Sequence, residues 1–365
     1  MVTITVIVLL TRLLSVAPYL KSSLNFGNAK ERYSQRPLVC NAAAANRTRE
    51  DQENILAIFT GRWKFLRIYL PYVYRELRVN GGVLDKVVFM MVDYDNLTYN
   101  HLLNFTKIAN GHLNRKVFEF NFLGHSFYST PPGKAGFREA YYDMFNDLMR
   151  GPYNRYFKSD DDIVYVHPGT FRKMIEGKNS CECFMHFANT VTNWRCNVKH
   201  QQMGLFDSEE VNPRRLRFEF NPLANCGWWS SECAELTLRA FLHYYSKKQL
   251  DRYTFAGHEM LFDRRRFTIN LHLLDLDLVN VQALQEVGPI GIDDELWWTE
   301  VYAPVFTQPN CIVGESLIVH FSYSLTCGTM IELGLLNEFE SIVRKEIGQL
   351  MHKKLWDALE FGDRL

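Results

Sequence analysis

The stretch Tyr156-Phe157-Lys158-Ser159-Asp160-Asp161-Asp162-Ile163-Val164-Tyr165-Val166 sets three consecutive carboxylates between two apolar segments. Adjacent carboxylates repel one another and lose hydration when buried, so an apolar strand carries them only where something positive meets them. Alternate members, Asp160 and Asp162, converge at a strand end. Oxygen ligands in that arrangement suit a hard divalent cation, Mg²⁺ or Mn²⁺, and leave coordination sites for phosphate oxygens. The same spacing recurs at Asp93-Tyr94-Asp95 and Asp275-Leu276-Asp277, so spacing alone does not choose among them. Context does: only the 160–162 cluster interrupts apolar strand and precedes a helix start, at His167-Pro168-Gly169-Thr170. The competing reading is a solvated turn at a strand end.

Working outward, short apolar runs alternate with longer amphipathic stretches from residue 55 onward, the pattern of an α/β domain. Ile55 to Thr60 reads as a first strand. Arg62 to Arg78 reads as a helix with Phe65, Leu66, Tyr69, Leu70, Val73 and Leu77 at helical spacing, ended by Gly81-Gly82. Lys86 to Val92 is a second strand, Asn100 to Ala109 a helix, Arg115 to Phe122 a third strand and Gly136 to Met149 a helix. A strand from Tyr153 runs into the acidic cluster, and Asn337 to Ala358 reads as one terminal helix.

Composition bounds the classes. With 365 residues and 47% of them apolar, the chain buries a large core, and extended disorder is excluded. Lys plus Arg equal Asp plus Glu at 41 each, which argues against nucleic acid as a partner held by bulk charge. Val2 to Leu10 and Leu13 to Leu20 are apolar with Arg12 between them, so residues 1–20 are a candidate signal anchor and 21–53, polar and aperiodic, a stem. The alternative is a mispredicted or disordered N-terminus. Sequons at Asn46, Asn96 and Asn104 accord with a lumenal chain. Eight cysteines are too few for a disulfide-built scaffold, and Cys181-Glu-Cys183 lacks zinc-knuckle spacing. In a lumenal protein, disulfides among Cys181, Cys183, Cys196, Cys226 and Cys233 are expected, with connectivity left open.

Over residues 54 to about 330 the chain resembles the nucleotide-sugar glycosyltransferases of the GT-A fold. Thr60-Gly61-Arg62 and Val92-Asp93 look like the ends of the first two strands, 157–166 like the segment carrying the DxD motif, and Asp293-Asp294-Glu295-Leu-Trp-Trp and His320 in Ile318-Val319-His320-Phe321 like later site segments. The resemblance implies an α/β, Rossmann-like single large domain over 54–335, a mostly parallel central sheet flanked by helices, and 336–365 as a C-terminal helix. It implies Mn²⁺ or Mg²⁺ on Asp160, Asp162 and His320, with a nucleoside-diphosphate sugar contacted by Thr60, Arg62, Asp93, Lys134, Asp160 and Asp161. A metal neutralises the charge developing on the leaving diphosphate. Lys134 follows Pro131-Pro132-Gly133 at a helix start, where its charge and the helix N-terminus both face phosphate; the flanking residues fit no P-loop.

An inverting transfer needs a base for the acceptor hydroxyl. Asp294, then Asp293, fit by position at a loop-to-helix junction; helix capping is the other reading, and without a carboxylate base a retaining transfer is the alternative. Trp228, Trp229 and Trp297 are placed to stack on sugar rings, with Asn189 in a loop-like segment contacting ligand, although buried core is the common fate of tryptophan. The acceptor class expected is a glycan, glycoprotein or glycolipid, and the site of action a Golgi or ER membrane with the catalytic domain lumenal. Two other classes use the same carboxylates: a metal-dependent phosphoryl hydrolase or nucleotidyltransferase, and a sugar-binding relative without catalysis. Arg264-Arg265-Arg266 reads as a solvated face or an anion contact.

Overall fold

Asn54 to Thr60 is buried at every position, as a strand covered on both faces must be, and forms β1 (Asn54–Thr60) at the heart of a parallel block. In the computed structural model, which describes residues 52–91, 94–122, 154–181, 183–219, 226, 230–261, 270–274, 309–321 and 326–360, β1 leads into α1 (Trp63–Arg75), β2 (Lys86–Met91), α2 (Asn96–Leu113) and β3 (Phe118–Phe122). The acidic triplet separates β4 (Arg155–Ser159) from β5 (Ile163–Val166). Then come α3 (Thr170–Ser180), β6 (Met185–Val191), α4 (Trp194–Gln202), α5 (Ser231–Ser246), β7 (His258–Leu261), β8 (Leu271–Leu274) and β9 (Asn310–His320). Three helices close the chain: α6 (Cys327–Glu332), α7 (Leu335–Ile347) and α8 (Lys353–Glu360).

Among the described residues the strands make one nine-stranded sheet in the order β3-β2-β1-β4-β8-β6-β9-β5, with β7 also paired to β9. The α/β class is as read, but the sheet is mixed rather than mostly parallel. The β1, β2, β3 and β4 pairings are parallel, as is β6 with β9, whereas β8 runs against β4 and β6, and β5 and β7 run against β9. An apolar run reports burial on two faces and carries no information about direction.

Four residue steps join Ser159 to Ile163, yet four strand spacings separate β4 from β5 in sheet order. The chain spans at most about 14 Å in those steps, against about 19 Å across a flat sheet. The sheet therefore curls, and β9 takes the bend. Its pairing with β6 jumps from Val313 to Leu317 between Ala188 and Asn189, leaving Gly314, Glu315 and Ser316 as an irregularity with Glu315 turned to solvent. A Cβ at Gly314 would lie 2.1 Å from the Phe255 carbonyl oxygen, so only glycine fits there.

One face of the sheet packs Leu56, Ile58, Phe89 and Phe157 against Phe65, Tyr69 and Tyr72 of α1 and Phe339 and Val343 of α7, all in one buried cluster. Each large apolar side chain buried there contributes about 2 kcal/mol against the entropy of ordering the chain. The tail forms two helices where one is expected: the chain turns at 348–352, and the Trp356 indole donates to the Gly348 carbonyl. α7 lies on α1 and α8 on α2. Helix α2 starts four residues before the expected Asn100, because Asp95, expected only as half of an Asp-x-Asp pair, caps it by accepting from Thr98 N at 2.6 Å.

Cys183 is bonded to Cys311 and Cys226 to Cys233, while Cys196 and Cys327 are buried free thiols. Cys311, outside the expected set, supplies the partner from β9. Residues 1–51 with Asn46, the helix expected at 136–149, and 264–266 lie outside the described residues. Among the described residues no helix is long and apolar enough to cross a membrane.

Three imidazoles are sealed in the fold. Burial lowers His186, with nearby His258 and Lys178 adding to the effect, and lowers His200, each to about 3; burial and then Lys158 hold His272 well below the usual histidine value. A group whose folded pKa is depressed binds more protons unfolded, so its contribution is intact above about pH 6.5 and is lost as pH falls below it. Urea unfolding at pH 7 and pH 5 should show stability falling by up to about 1.4 kcal/mol per pH unit for each of the three. His200→Gln should flatten that slope by about one histidine's share, and an unchanged slope would refute the assignment.

Candidate metal centre

β4 ends at Ser159, and the next three residues turn their carboxylates in different directions. Asp160 N donates to the Asn270 carbonyl at 2.9 Å, and the Asp160 carboxylate accepts from Lys158 Nζ at 2.5 Å and Asn270 Nδ2 at 3.2 Å. Lys158 is buried. This Lys158–Asp160 pair, one residue apart on the strand's alternation, is a partner the sequence reading missed, although Lys158 stands inside the quoted stretch.

Asp161 turns inward. One oxygen accepts from the backbone N–H of Gly61 at 2.8 Å and of Arg62 at 2.7 Å, and the other from Arg62 Nε at 2.9 Å and Arg62 Nη2. The carboxylate thus caps the N-terminus of α1 and grips its first cation, both favourable to negative charge. Burial, opposed by Arg62 and reinforced by Asp162, pushes Asp161 up to about 6, which leaves it ionised at neutral pH. Asp161, expected among the donor contacts, orients Arg62.

Asp162 is positioned by the β5–β9 ladder. Ile163 pairs with His320, and Phe321 N donates to the Asp162 carbonyl at 2.9 Å, so the two side chains meet at the sheet edge. His320 Nε2 lies 3.1 Å and Arg62 Nη2 2.9 Å from Asp162 Oδ2. Burial works against ionisation, but His320 and then Arg62 hold Asp162 well below the usual carboxylate range. Burial likewise disfavours a charged His320, and the Asp162 charge and hydrogen bond, with Asp160 beyond, more than offset it and raise its pKa. Burial alone would lower Arg62, which Asp162, Asp161 and Asp160 hold raised.

Donor atoms of Asp160, Asp162 and His320 lie within 4.8 Å of one another. Two ligand atoms on one Mg²⁺ or Mn²⁺ sit about 3 to 4 Å apart, so small side-chain adjustments close the set on an ion. The residues fit such an ion on a second ground: Asp162 Oδ1 is buried without a hydrogen-bond partner among the described residues, and an orphaned carboxylate oxygen is costly unless a cation meets it. Two carboxylates and one imidazole are a hard, oxygen-rich donor set.

The Thr60 hydroxyl is buried and donates to the Met90 carbonyl at 3.0 Å, holding β1 to β2. Asn189 stands in strand β6, not a loop. Its Nδ2 donates to the Tyr253 carbonyl at 2.8 Å and the Gly314 carbonyl at 3.1 Å, which leaves Oδ1 to accept from His200 Nε2 at 2.8 Å. With its amide spent on the bend in β9, Asn189 is a structural node. Asp93, Lys134, Trp228, Trp229, Asp293, Asp294 and Trp297 lie outside the described residues.

No known family model matches the chain, and no curated protein shows significant similarity to it.

Asp161→Asn should cost about 2 kcal/mol in urea-derived stability, less than the ~3–5 kcal/mol of a fully buried pair because the Arg62 side chain is 40% exposed. Mn²⁺ affinity by calorimetry should stay near wild type. A parallel collapse of metal affinity would assign Asp161 to the metal itself.

Proposed function

We propose that the protein is a metal-dependent glycosyltransferase of GT-A type, moving a sugar from a nucleoside-diphosphate sugar to an acceptor hydroxyl. The observation that carries this reading is the convergence of Asp160, Asp162 and His320 from two distant chain segments at the end of strand β4. Strand ends of open α/β sheets are where ligands bind, and a bound Mn²⁺ or Mg²⁺ would supply charge neutralisation for a leaving diphosphate there. Arg62, partly exposed beside Asp162, brings a fixed positive charge suited to phosphate oxygens. Asp161 holds that charge in place. Asp294, with Asp293 as the alternative, is the base that takes the proton of the attacking hydroxyl in an inverting transfer. The acceptor is a glycan, glycoprotein or glycolipid, and a lumenal setting in Golgi or ER belongs to the same proposal.

A thermal-shift screen of the full chain against UDP-, GDP- and CMP-sugars, each with Mn²⁺ or EDTA, tests the reading. Ligand that binds only the folded state raises its stability. A Mn²⁺-dependent shift with one nucleotide is the expected result, and no shift with any of them sinks the proposal. Asp162→Ala and His320→Ala should each weaken Mn²⁺ binding at least tenfold by calorimetry, whereas Asp294→Ala should keep nucleotide binding and lose transfer. Full Mn²⁺ affinity in a folded Asp162→Ala variant would remove the metal assignment.

A further inference from the structure

Two of the three sequons fall on helix α2. Asn96 is its first residue and Asn104 lies two turns on; both are exposed, and no hydrogen bond among the described residues uses either side-chain amide. The helix buries Thr98, His101, Leu102, Phe105, Thr106 and Ala109 against the domain, so both asparagines stand on the opposite, outward side. Beside them, Leu97 and Leu103 are each 45% exposed, two of the few large apolar side chains left to solvent among the described residues. The Cys183–Cys311 and Cys226–Cys233 bonds form and persist in an oxidising compartment, the one in which sequons are modified.

We infer that Asn96 and Asn104 are N-glycosylated, and that the two glycans shield the apolar edge of α2 at Leu97 and Leu103. In the transfer, the asparagine Nδ2 forms a bond to the anomeric carbon of a lipid-diphosphate-linked oligosaccharide. The bond from that carbon to the diphosphate breaks, and the amide gives up one proton as the lipid diphosphate leaves. The fold also fixes when this happens. The sequon hydroxyls of Thr98 and Thr106 are buried, and Thr98 Oγ1 donates to the Gly61 carbonyl and accepts from Trp63 N, each at 3.3 Å. A transferase that reads that hydroxyl finds it only before α2 docks, so addition precedes folding and the finished helix presents the product outward. This inference is independent of the metal chemistry proposed above.

The test is the full chain expressed in a eukaryotic secretory host, purified and treated with peptide-N-glycosidase in ¹⁸O water. Deglycosylation converts each occupied asparagine to ¹⁸O-labelled aspartate, and labelled peptides at positions 96 and 104 are expected. Asn96→Gln and Asn104→Gln, both surface changes, should each remove one glycan step from the gel mobility of the untreated protein. Folded, unglycosylated protein from a bacterial host should remain unmodified when offered to microsomes after synthesis. Unlabelled peptides at both positions in protein carrying the Cys226–Cys233 bond would overturn the inference, as would post-translational modification of the folded chain. Recovery of the chain with all cysteines reduced would overturn it on the compartment.

Discussion

Three residues connect two strands that stand four places apart in one sheet, and the rest of the architecture answers to that covalent limit. A flat sheet cannot satisfy it, so the sheet curls until the β5 edge returns to the carboxyl end of β4. The curl needs a bend in β9, the bend needs a glycine at 314 against the Phe255 carbonyl, and it is stabilised from the other side by the Asn189 amide. The end of β9 then carries His320 onto Asp162. A histidine from the late part of the chain joins the acidic triplet because the link is short.

Within the triplet, each carboxylate meets its own set of partners, which eases the conflict that adjacency sets up. Asp161 sits in the bend between β4 and β5 and is buried against the start of α1, whereas Asp160 is half-buried at the end of β4. Asp161 faces a helix N-terminus and a guanidinium, while Asp160 pairs with Lys158 and Asp162 with His320 and Arg62. Mutual repulsion is thereby reduced without loss of acidic character at the sheet end. The clamp on Arg62 belongs to the same arrangement: the cation that steadies Asp161 also reaches Asp162, so the two carboxylates share one guanidinium.

Much of this was legible in the residues, and the omissions have physical causes. The apolar runs of β1, β2 and β5 and the periodic face of α1 were readable because burial leaves a period. The pairing of Asp160 with Asp162 was readable from their chemistry and setting, while His320 was added to them by the resemblance. Strand direction was not readable, because a short strand such as β8 looks the same in either sense. Asn189 misled because asparagine is common in loops, and nothing local announces that two distant carbonyls will claim its amide. Asp95 was visible only as half of an acidic pair, whereas its role is to cap α2. The break between α7 and α8 hides in a continuous helical period, since Gly348 is one residue amid an otherwise uninterrupted apolar repeat.

The packing of α7 on α1 and of α8 on α2 joins the earliest described helices to the last described ones. On a ribosome the chain emerges in order, and roughly 250 residues separate the end of α2 from α8. At about 5–20 residues per second, that is an interval on the order of tens of seconds. Throughout it, the sheet face and both early helices lack their final cover, whatever their local propensity. The domain is therefore completed only once α8 has been made, and loss of α7 and α8 would uncover α1 and α2.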